Sequence, residues 1–208
     1  MSATTTGAAL RLVDLILRFG KVKRATFHQD GVTPESDAEH SLMLAILAPA
    51  LAEVWMREGR IPYVNLGKLA MYATIHDLPE VYAGDTDTTV ALTHGQKDAK
   101  DKREGAARRK IFADFAHALP LVTDLMRDYE DQKDVESRLV RYLDKVLPKI
   151  TNILNGGAGL AVAGIPLVVV KEQHAAQAAT LRAEYPEFPA LADLFEDCAR
   201  MCERTYVL

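Results

Sequence analysis

The sequence predicts an all-α protein that folds as one helical bundle of about eight or nine helices. Apolar residues recur at helical spacing through almost all of the 208 residues. Residues that cap helices stand before several of these periodic segments, and the alternation typical of strands is nearly absent. One short β-branched run, residues 167–170, is the exception, and no internal repeat occurs.

The first two helices are predicted on either side of an irregular stretch. The first ends near Gly20, a residue suited to a helix C-terminus, and a basic, polar segment follows over residues 21–35. Ser36 and Glu39 have the spacing of a capping box, so the second helix begins there and runs to about Arg57. Its apolar face is predicted to include Leu42, Ile46, Leu47, Leu51 and Val54.

The third helix is predicted to begin at Asn65, which caps it, and to reach His76 and Asp77. Because Pro79 disfavours helical geometry at the residue before it, the helix ends or bends there, and Gly84 closes a short turn. Residues 85–95 are predicted to form a loop. The remaining helices are expected over residues 96–115, 121–129, 134–154, 171–184 and 189–206, with a buried or semi-buried connection over residues 156–170.

Composition excludes several classes of protein. The length suits one globular domain over residues 1–208, and 49% hydrophobic residues with a net charge of −4 exclude a disordered chain. The mildly acidic balance argues against a nucleic-acid partner. Two cysteines make no disulfide framework, and residues 42–54 fall short of the ~20 needed to cross a bilayer. We therefore expect a cytoplasmic protein without a membrane partner.

His40, His76, Asp77 and Asp144 are the candidate metal ligands. Each lies within or at the end of an apolar helix, and imidazole with carboxylate suits Mn, Co, Zn, Fe or Mg. Taken singly, each has an ordinary alternative, because a lone histidine on an apolar helix is more often a core residue. Likewise, Asp144 beside Lys145 is typical of a solvated ion pair. The combination of the four residues is what favours a metal site.

The order of these four residues resembles the H…HD…D signature of the HD-domain metal-dependent phosphohydrolases. Residues 38–41 (AEHS) are similar to the segment that opens the motif, and residues 143–145 (LDK) resemble its last element. Residues 76–85 resemble the HD-x-x-E-x-x-x-G-D block of the small 5′-deoxynucleotidase-like branch. The resemblance spans about residues 7–155, with the C-terminal helices, residues 168–206, packing on that core or forming an oligomer interface.

The resemblance implies that His40, His76, Asp77 and Asp144 hold one divalent metal ion. Such an ion polarises a phosphoryl group and lowers the pKa of its bound water. The implied function is hydrolysis of a small nucleotide, with a 5′-deoxynucleotidase acting on deoxyribonucleoside monophosphates as the first reading. A deoxynucleoside triphosphate triphosphohydrolase is the alternative within the same class, and a catalytically inactive nucleotide-binding module is the alternative outside it. Members of the branch are often homo-oligomers, so a homo-oligomer is expected.

Glu80 and Asp85 are the candidate catalytic residues. On a helix Glu80 shares the face of His76 and Asp77, and a carboxylate beside a metal-bound water can take or supply a proton. The resemblance implies such a role for Glu80, and for Asp85 either the same role or the orientation of water or substrate. The ordinary alternatives are a helix-surface charge and a turn residue.

Positive charge for substrate binding is predicted at Lys23, Arg24 and Lys97. Arg24 stands where the nucleotidase branch carries an arginine that contacts the substrate phosphate, and a guanidinium binds phosphate bidentately. Ala25 departs from the aromatic residue that many members carry next, which leaves base and sugar selection open. Lys97 begins a stretch with seven basic and three acidic residues, residues 97–110, that is either a solvated helix face or a cationic lid.

Threonine hydroxyls are a further source of substrate hydrogen bonds in the loop after Asp85. Thr86 is the candidate, with Thr88 and Thr89 as neighbours. Threonine-rich loops are common without a ligand, which is the alternative.

Overall fold

The computed structural model describes residues 5–86 and 92–206. Within these ranges the chain is all-α apart from one hairpin, as predicted, with eight helices of ten residues or more and two short ones. The elements in chain order are α1 (Thr5–Phe19), β1 (Lys23–Phe27), β2 (Pro34–Ser36), α2 (Asp37–Arg57), α3 (Leu66–Ile75), α4 (Glu80–Ala83), α5 (His94–Phe115), α6 (Pro120–Glu130), α7 (Val135–Leu154), α8 (Ala158–Val162), α9 (Leu167–Glu184) and α10 (Pro189–Thr205). No helix of the described part is long and apolar enough to cross a membrane.

The segment predicted to be irregular, residues 21–35, is largely a β-hairpin. β1 pairs antiparallel with β2, so that Lys23 lies opposite Ser36 and Phe27 lies opposite Pro34. Strands of five and three residues are too short for alternation to be visible in the sequence. The hairpin positions the site, because β2 leads directly into the first turn of α2.

The start of α2 follows the predicted capping box. The Glu39 backbone N–H donates to the Ser36 hydroxyl at 3.3 Å, and the Ser36 backbone N–H donates to the Glu39 carboxylate at 2.8 Å. Two helix N–H groups are thereby satisfied by local sequence alone. The helix ends at Arg57, as predicted.

The predicted apolar face of α2 is wrong in part. Leu42 is 59% exposed, Ile46 is 64% exposed and Val54 is 37% exposed, whereas Leu44 is fully buried. α2 is apolar on most of its circumference, so periodicity alone does not select the face that packs. The residues of α2 that are buried are Asp37, His40, Ser41, Leu44, Ala48, Ala52 and Trp55.

The main apolar cluster joins six helices, namely α2, α3, α6, α7, α9 and α10. Leu44 of α2, Tyr72 of α3, Leu143 of α7 and Phe195 of α10 are all fully buried in it. α10 packs along α7 and α9, so these C-terminal helices close the core that the N-terminal helices begin. α7 therefore lies at the centre of the bundle, with one face in the core and Asp144 directed at the site.

The connection predicted over residues 156–170 is mostly helical. Residues 158–162 form α8, and the β-branched run at 167–170 is the first turn of α9. Gly157 precedes α8 with a φ of 79°, and a Cβ there would lie 2.9 Å from Tyr206 Cδ2. Positive φ and the close approach of Tyr206 both require glycine at this position.

Candidate metal centre

Four side chains from three helical segments converge on one point. His40 lies in α2, Asp144 lies in α7, and His76 and Asp77 follow the last residue of α3. One potential ligand atom from each lies within 4.8 Å of the others. Nε2 of His40 is 3.0 Å from Oδ1 of Asp144, and Nε2 of His76 is 3.0 Å from Oδ2 of Asp77 and 3.6 Å from Oδ1 of Asp144. The structure thus brings the four predicted ligands together.

Neighbouring residues reach the same point because α3 ends there. On a regular helix His76 and Asp77 would point about 100° apart. Beyond Ile75 the chain tightens: the Leu78 N–H donates to the Ile75 carbonyl at 3.1 Å, and the Glu80 N–H donates to the Asp77 carbonyl at 2.9 Å. These are three-residue turns. The expected break before Pro79 is confirmed, and it places both side chains in the site.

Each imidazole is oriented by a partner on its other nitrogen. Nδ1 of His40 lies 3.0 Å from Oε1 of Glu35, and Nδ1 of His76 lies 2.9 Å from the Ala73 carbonyl oxygen. Nε2 of His76 is buried and has no hydrogen-bond partner among the described residues. Metal-binding histidines are held in this way, with the second N–H donated to a carboxylate or carbonyl. Two oriented imidazole nitrogens and two carboxylates fit a divalent cation.

The electrostatics also favour a cation. Burial alone would lower the pKa of His76, but the carboxylates of Asp77 and Asp144 raise that pKa to about 10. Burial also lowers the pKa of His40, but the hydrogen bonds of its ring to Asp144 and Glu35 outweigh burial. The pKa of His40 is therefore raised. The pKa of Asp144 lies well below its ordinary value, since Lys145 and both imidazoles outweigh its burial. A cation is therefore stabilised at this point, whether it is a proton or a metal ion.

A second group of carboxylates adjoins the first. One oxygen each of Asp37, Glu80 and Asp85 lies within 4.8 Å of the others. Burial, together with the nearby charges of Asp77 and Asp37, raises the pKa of Glu80 to about 11. Burial also raises the pKa of Asp37 to about 6. Glu80 is thus a carboxyl group that carries a proton at neutral pH, beside the predicted ligand Asp77.

Arg24 links the two groups of carboxylates. Its Nη1 donates to Oδ1 of Asp37 at 3.0 Å and to Oδ2 of Asp77 at 2.9 Å, and its side chain is 13% exposed. Its Nε is buried, lies 3.8 Å from Oε1 of Glu35 and has no hydrogen-bond partner among the described residues. The guanidinium therefore lies at the centre of the site and retains a donor that is unpaired within the described part of the chain.

Asp37 and Glu35 were not singled out by sequence reasoning. An acidic residue in the first turn of a helix normally interacts with the positive end of the helix dipole. Asp37 fits this ordinary role, so the sequence gives no reason to assign it to the site. Glu35 lies in β2, an element that the sequence did not predict. The available signal was its position five residues before His40, but only the hairpin brings its carboxylate to the imidazole.

A cavity of about 610 Å³ opens on the site. Arg24, Asp85, Thr86 and Lys97 line it together with Asp144, so three of the four predicted substrate-binding residues face one space. The hydroxyl of Thr86 accepts a hydrogen bond from Arg103 at 3.0 Å. Thr88 and Thr89 lie outside the described residues.

Lys23 is placed elsewhere. Its side chain is exposed, and its Nζ donates to the Pro34 carbonyl at 3.4 Å across the hairpin. Among the described residues that line the cavity, Lys23 does not occur. Most of the basic side chains of residues 97–110 face solvent along α5, and Lys100 and Arg108 pair with Glu104. That stretch is thus largely a solvated face, with Lys97 as the member that reaches the cavity.

Comparison with known proteins agrees with this geometry. A model of the HD domain matches residues 17–185. The 5′-deoxynucleotidase of Cronobacter sakazakii is 32% identical over 114 residues, and the 5′-deoxynucleotidase YfbR of Escherichia coli is 32% identical over 116 residues. Each match covers 54% of this chain and 57% of the relative, so the similarity spans little more than half the length of these enzymes.

Two solved structures share the fold. A predicted metal-dependent phosphohydrolase from Magnetospirillum magnetotacticum is 24% identical with a TM-score of 0.74, and each chain is covered to 96%. A conserved hypothetical protein from Pyrococcus furiosus is 21% identical with a TM-score of 0.60, covering 92% of this chain and 99% of that one. The match to the domain model extends over most of the sequence and includes all four converging side chains. The chain belongs to the HD-domain family.

Proposed function

We propose that this protein is a metal-dependent nucleotide phosphohydrolase whose first activity is that of a 5′-deoxynucleotidase. The observation that carries the proposal is the convergence of His40, His76, Asp77 and Asp144 beside the buried Glu80 and the largely buried Arg24. The 5′-deoxynucleotidases among its partial relatives support the choice of a deoxyribonucleoside monophosphate.

His40, His76, Asp77 and Asp144 would hold one divalent ion, of which Mn, Co, Zn, Fe and Mg are the candidates. Such an ion supplies a nucleophilic water at neutral pH and neutralises phosphate charge. Arg24, which lines the cavity, would bind a phosphate oxygen through its guanidinium. That contact pairs a buried cation with the developing negative charge of the transition state.

Glu80 and Asp85 carry the protons in this proposal. The oxygen of the attacking water forms a bond to phosphorus, and the bond between phosphorus and O5′ of the nucleoside breaks. Asp85, at the wall of the cavity, accepts the proton that the water releases. Glu80, which burial keeps protonated, donates its proton to the leaving O5′. The products are then the deoxynucleoside and inorganic phosphate.

A triphosphohydrolase reaction, from a deoxynucleoside triphosphate to deoxynucleoside and triphosphate, is the second candidate. Lys97 favours it, because this ammonium lines the cavity together with Lys145 and offers charge to a longer phosphate chain. Homo-oligomeric assembly and a cytoplasmic location stay predictions within the proposal.

One experiment tests the proposal. The purified chain is incubated with deoxynucleoside monophosphates and triphosphates and with Mn²⁺, Co²⁺ or Mg²⁺, and phosphate is distinguished from triphosphate among the products. We expect phosphate from the monophosphates, and loss of the product in Asp77→Ala but not in Asp124→Ala, which alters an exposed carboxylate on α6. No turnover of any nucleotide with any of the metals would contradict both candidates and leave the inactive binding module.

A further inference from the structure

The cavity continues well beyond the four converging side chains. Past Asp144 it runs along α7 towards α8 and α9, and its far part is lined by Lys149, Asn152 and His174, with Leu160 and Val170 as apolar wall. None of these residues has a part in the proposed reaction. We therefore ask which chemical group would bind in this far part of the cavity.

Lys149 is the unusual group in this far part. It follows Asp144 by five residues on α7, which is about 7.5 Å along the helix axis. The side chain is half-buried, its Nζ lies 5.7 Å from the centroid of the Phe195 ring, and no carboxylate of the described residues is within ion-pair distance. Burial lowers its pKa to about 8, and the positive charge of Lys145 adds to that effect. A partly desolvated ammonium without a nearby anion favours the binding of an anion beside it.

Asn152 offers a second free group one turn from Lys149. Its side chain is 8% exposed, and Nδ2 donates to the Pro148 carbonyl at 2.8 Å. Oδ1 is buried without a hydrogen-bond partner among the described residues, and Asn152 is one of the residues that line the cavity. Buried acceptors are normally paired, so this oxygen indicates a donor that arrives with a ligand.

We propose that Lys149 binds a second phosphate group of the substrate, while Asn152 Oδ1 accepts a hydrogen bond from a donor group of the same ligand. The inference rests on the proposed function, because the first phosphate is taken to lie at the metal centre. A neutral base or sugar would leave Lys149 unpaired, whereas a phosphate supplies the missing anion. The second phosphate belongs either to the same 5′ chain or to the opposite side of the sugar.

Equilibrium binding to the Mn²⁺-loaded protein distinguishes these cases. The probes are deoxyadenosine 5′-monophosphate, deoxyadenosine 3′,5′-bisphosphate and deoxyadenosine 5′-triphosphate, each measured by calorimetry in a Glu80→Gln background that slows hydrolysis. Lys149→Met removes the charge but keeps an unbranched chain. Lys149→Arg restores a cation, and Lys171→Met alters an exposed lysine of α9 that does not line this cavity.

We expect Lys149→Met to weaken binding of one doubly anionic probe about 10- to 100-fold, as expected for a charge-assisted hydrogen bond. The monophosphate should change by less than about twofold, and Lys149→Arg should recover most of the loss. Loss confined to the bisphosphate assigns the sugar side, and loss confined to the triphosphate assigns the 5′ chain. An equal loss for the monophosphate, or no loss for any probe, overturns the inference. Because the readout is binding, it stands apart from the turnover test of the proposed function.

Discussion

Nε2 of His40 lies 3.0 Å from Oδ1 of Asp144, although 104 residues separate them in the chain. The contact joins α2 to α7 inside the bundle. Since Nδ1 of His40 faces Glu35, a hydrogen bond to both carboxylates requires a second proton on the ring. A metal ion at Nε2 removes that requirement. The geometry therefore makes protons and metal ions competitors for one point.

This competition predicts how metal affinity depends on pH. The pKa of His76 is raised to about 10, so below that pH the folded protein holds a proton that a metal ion must displace. We expect the apparent affinity for Mn²⁺ to fall as pH falls from 8 to 6, by about tenfold per pH unit for each displaced proton. Calorimetric titration in buffers of different ionisation enthalpy measures both quantities. Affinity that is constant over this range, with no proton release, would contradict the assignment of His76.

Replacing Glu80 is expected to lower turnover but to raise stability at alkaline pH. The pKa of Glu80 rises from an ordinary value of 4.5 to about 11 in the folded protein. Its contribution to stability is therefore fully present below pH 4.5 and declines as pH rises towards 11. Glu80→Gln removes this decline, so we expect a higher melting temperature than wild type at pH 8 and little difference near pH 4.5. We also expect turnover to fall about 10²- to 10⁴-fold, as for loss of an acid–base group. Thermal denaturation at both pH values, in metal-free buffer, checks the sign.

Glu35 is expected to position His40 without contacting the substrate. Glu35→Gln keeps the size of the side chain but weakens its hold on the imidazole Nδ1, which lies 3.0 Å away. We expect metal affinity to fall by about 10- to 100-fold, the usual effect of removing such a partner. Glu53→Gln, at a partly exposed position of the same helix as His40, is the matched control and should leave affinity unchanged. Unchanged affinity in Glu35→Gln would mean that the carboxylate is only a structural partner.

Ser36 caps α2, the helix that carries His40. Ser36→Ala removes the hydroxyl that accepts from the Glu39 N–H and so leaves a donor of the first turn unpaired. We expect a loss of about 1 kcal/mol in the free energy of unfolding and a decrease of roughly 2–4 °C in melting temperature. Urea and thermal denaturation measure both. A neutral substitution would show that the hairpin alone fixes the start of α2.

Structural features that depend on residues close together in the chain could be predicted from the sequence. The box at Ser36 and Glu39, the cap at Asn65 and the break before Pro79 depend on neighbouring residues, and each is found where it was predicted. The same holds for the order of the four converging side chains. Their spacing is a property of the sequence, even though their meeting point is a property of the fold.

Features that depend on tertiary contacts could not be predicted from the sequence. Leu42 and Leu44 are chemically alike, and only the packing of α2 against its neighbours, among them α3 and α7, decides that Leu44 is buried. Lys23 and Arg24 are adjacent cations, but the pleat of β1 directs Arg24 into the carboxylates and leaves Lys23 exposed. Asp37 likewise acquires its role from the groups that other elements bring to it.

We infer that His40, His76, Asp77 and Asp144 form one metal centre. The most direct measurement is the metal content per chain, determined by mass spectrometry after loading with Mn²⁺ and gel filtration, for wild type and for Asp144→Asn. We expect about one ion per wild-type chain and close to none in the variant, with unchanged helical circular dichroism and with Asp124→Asn retaining its ion. An Asp144→Asn protein that keeps a full equivalent of Mn²⁺ would contradict it.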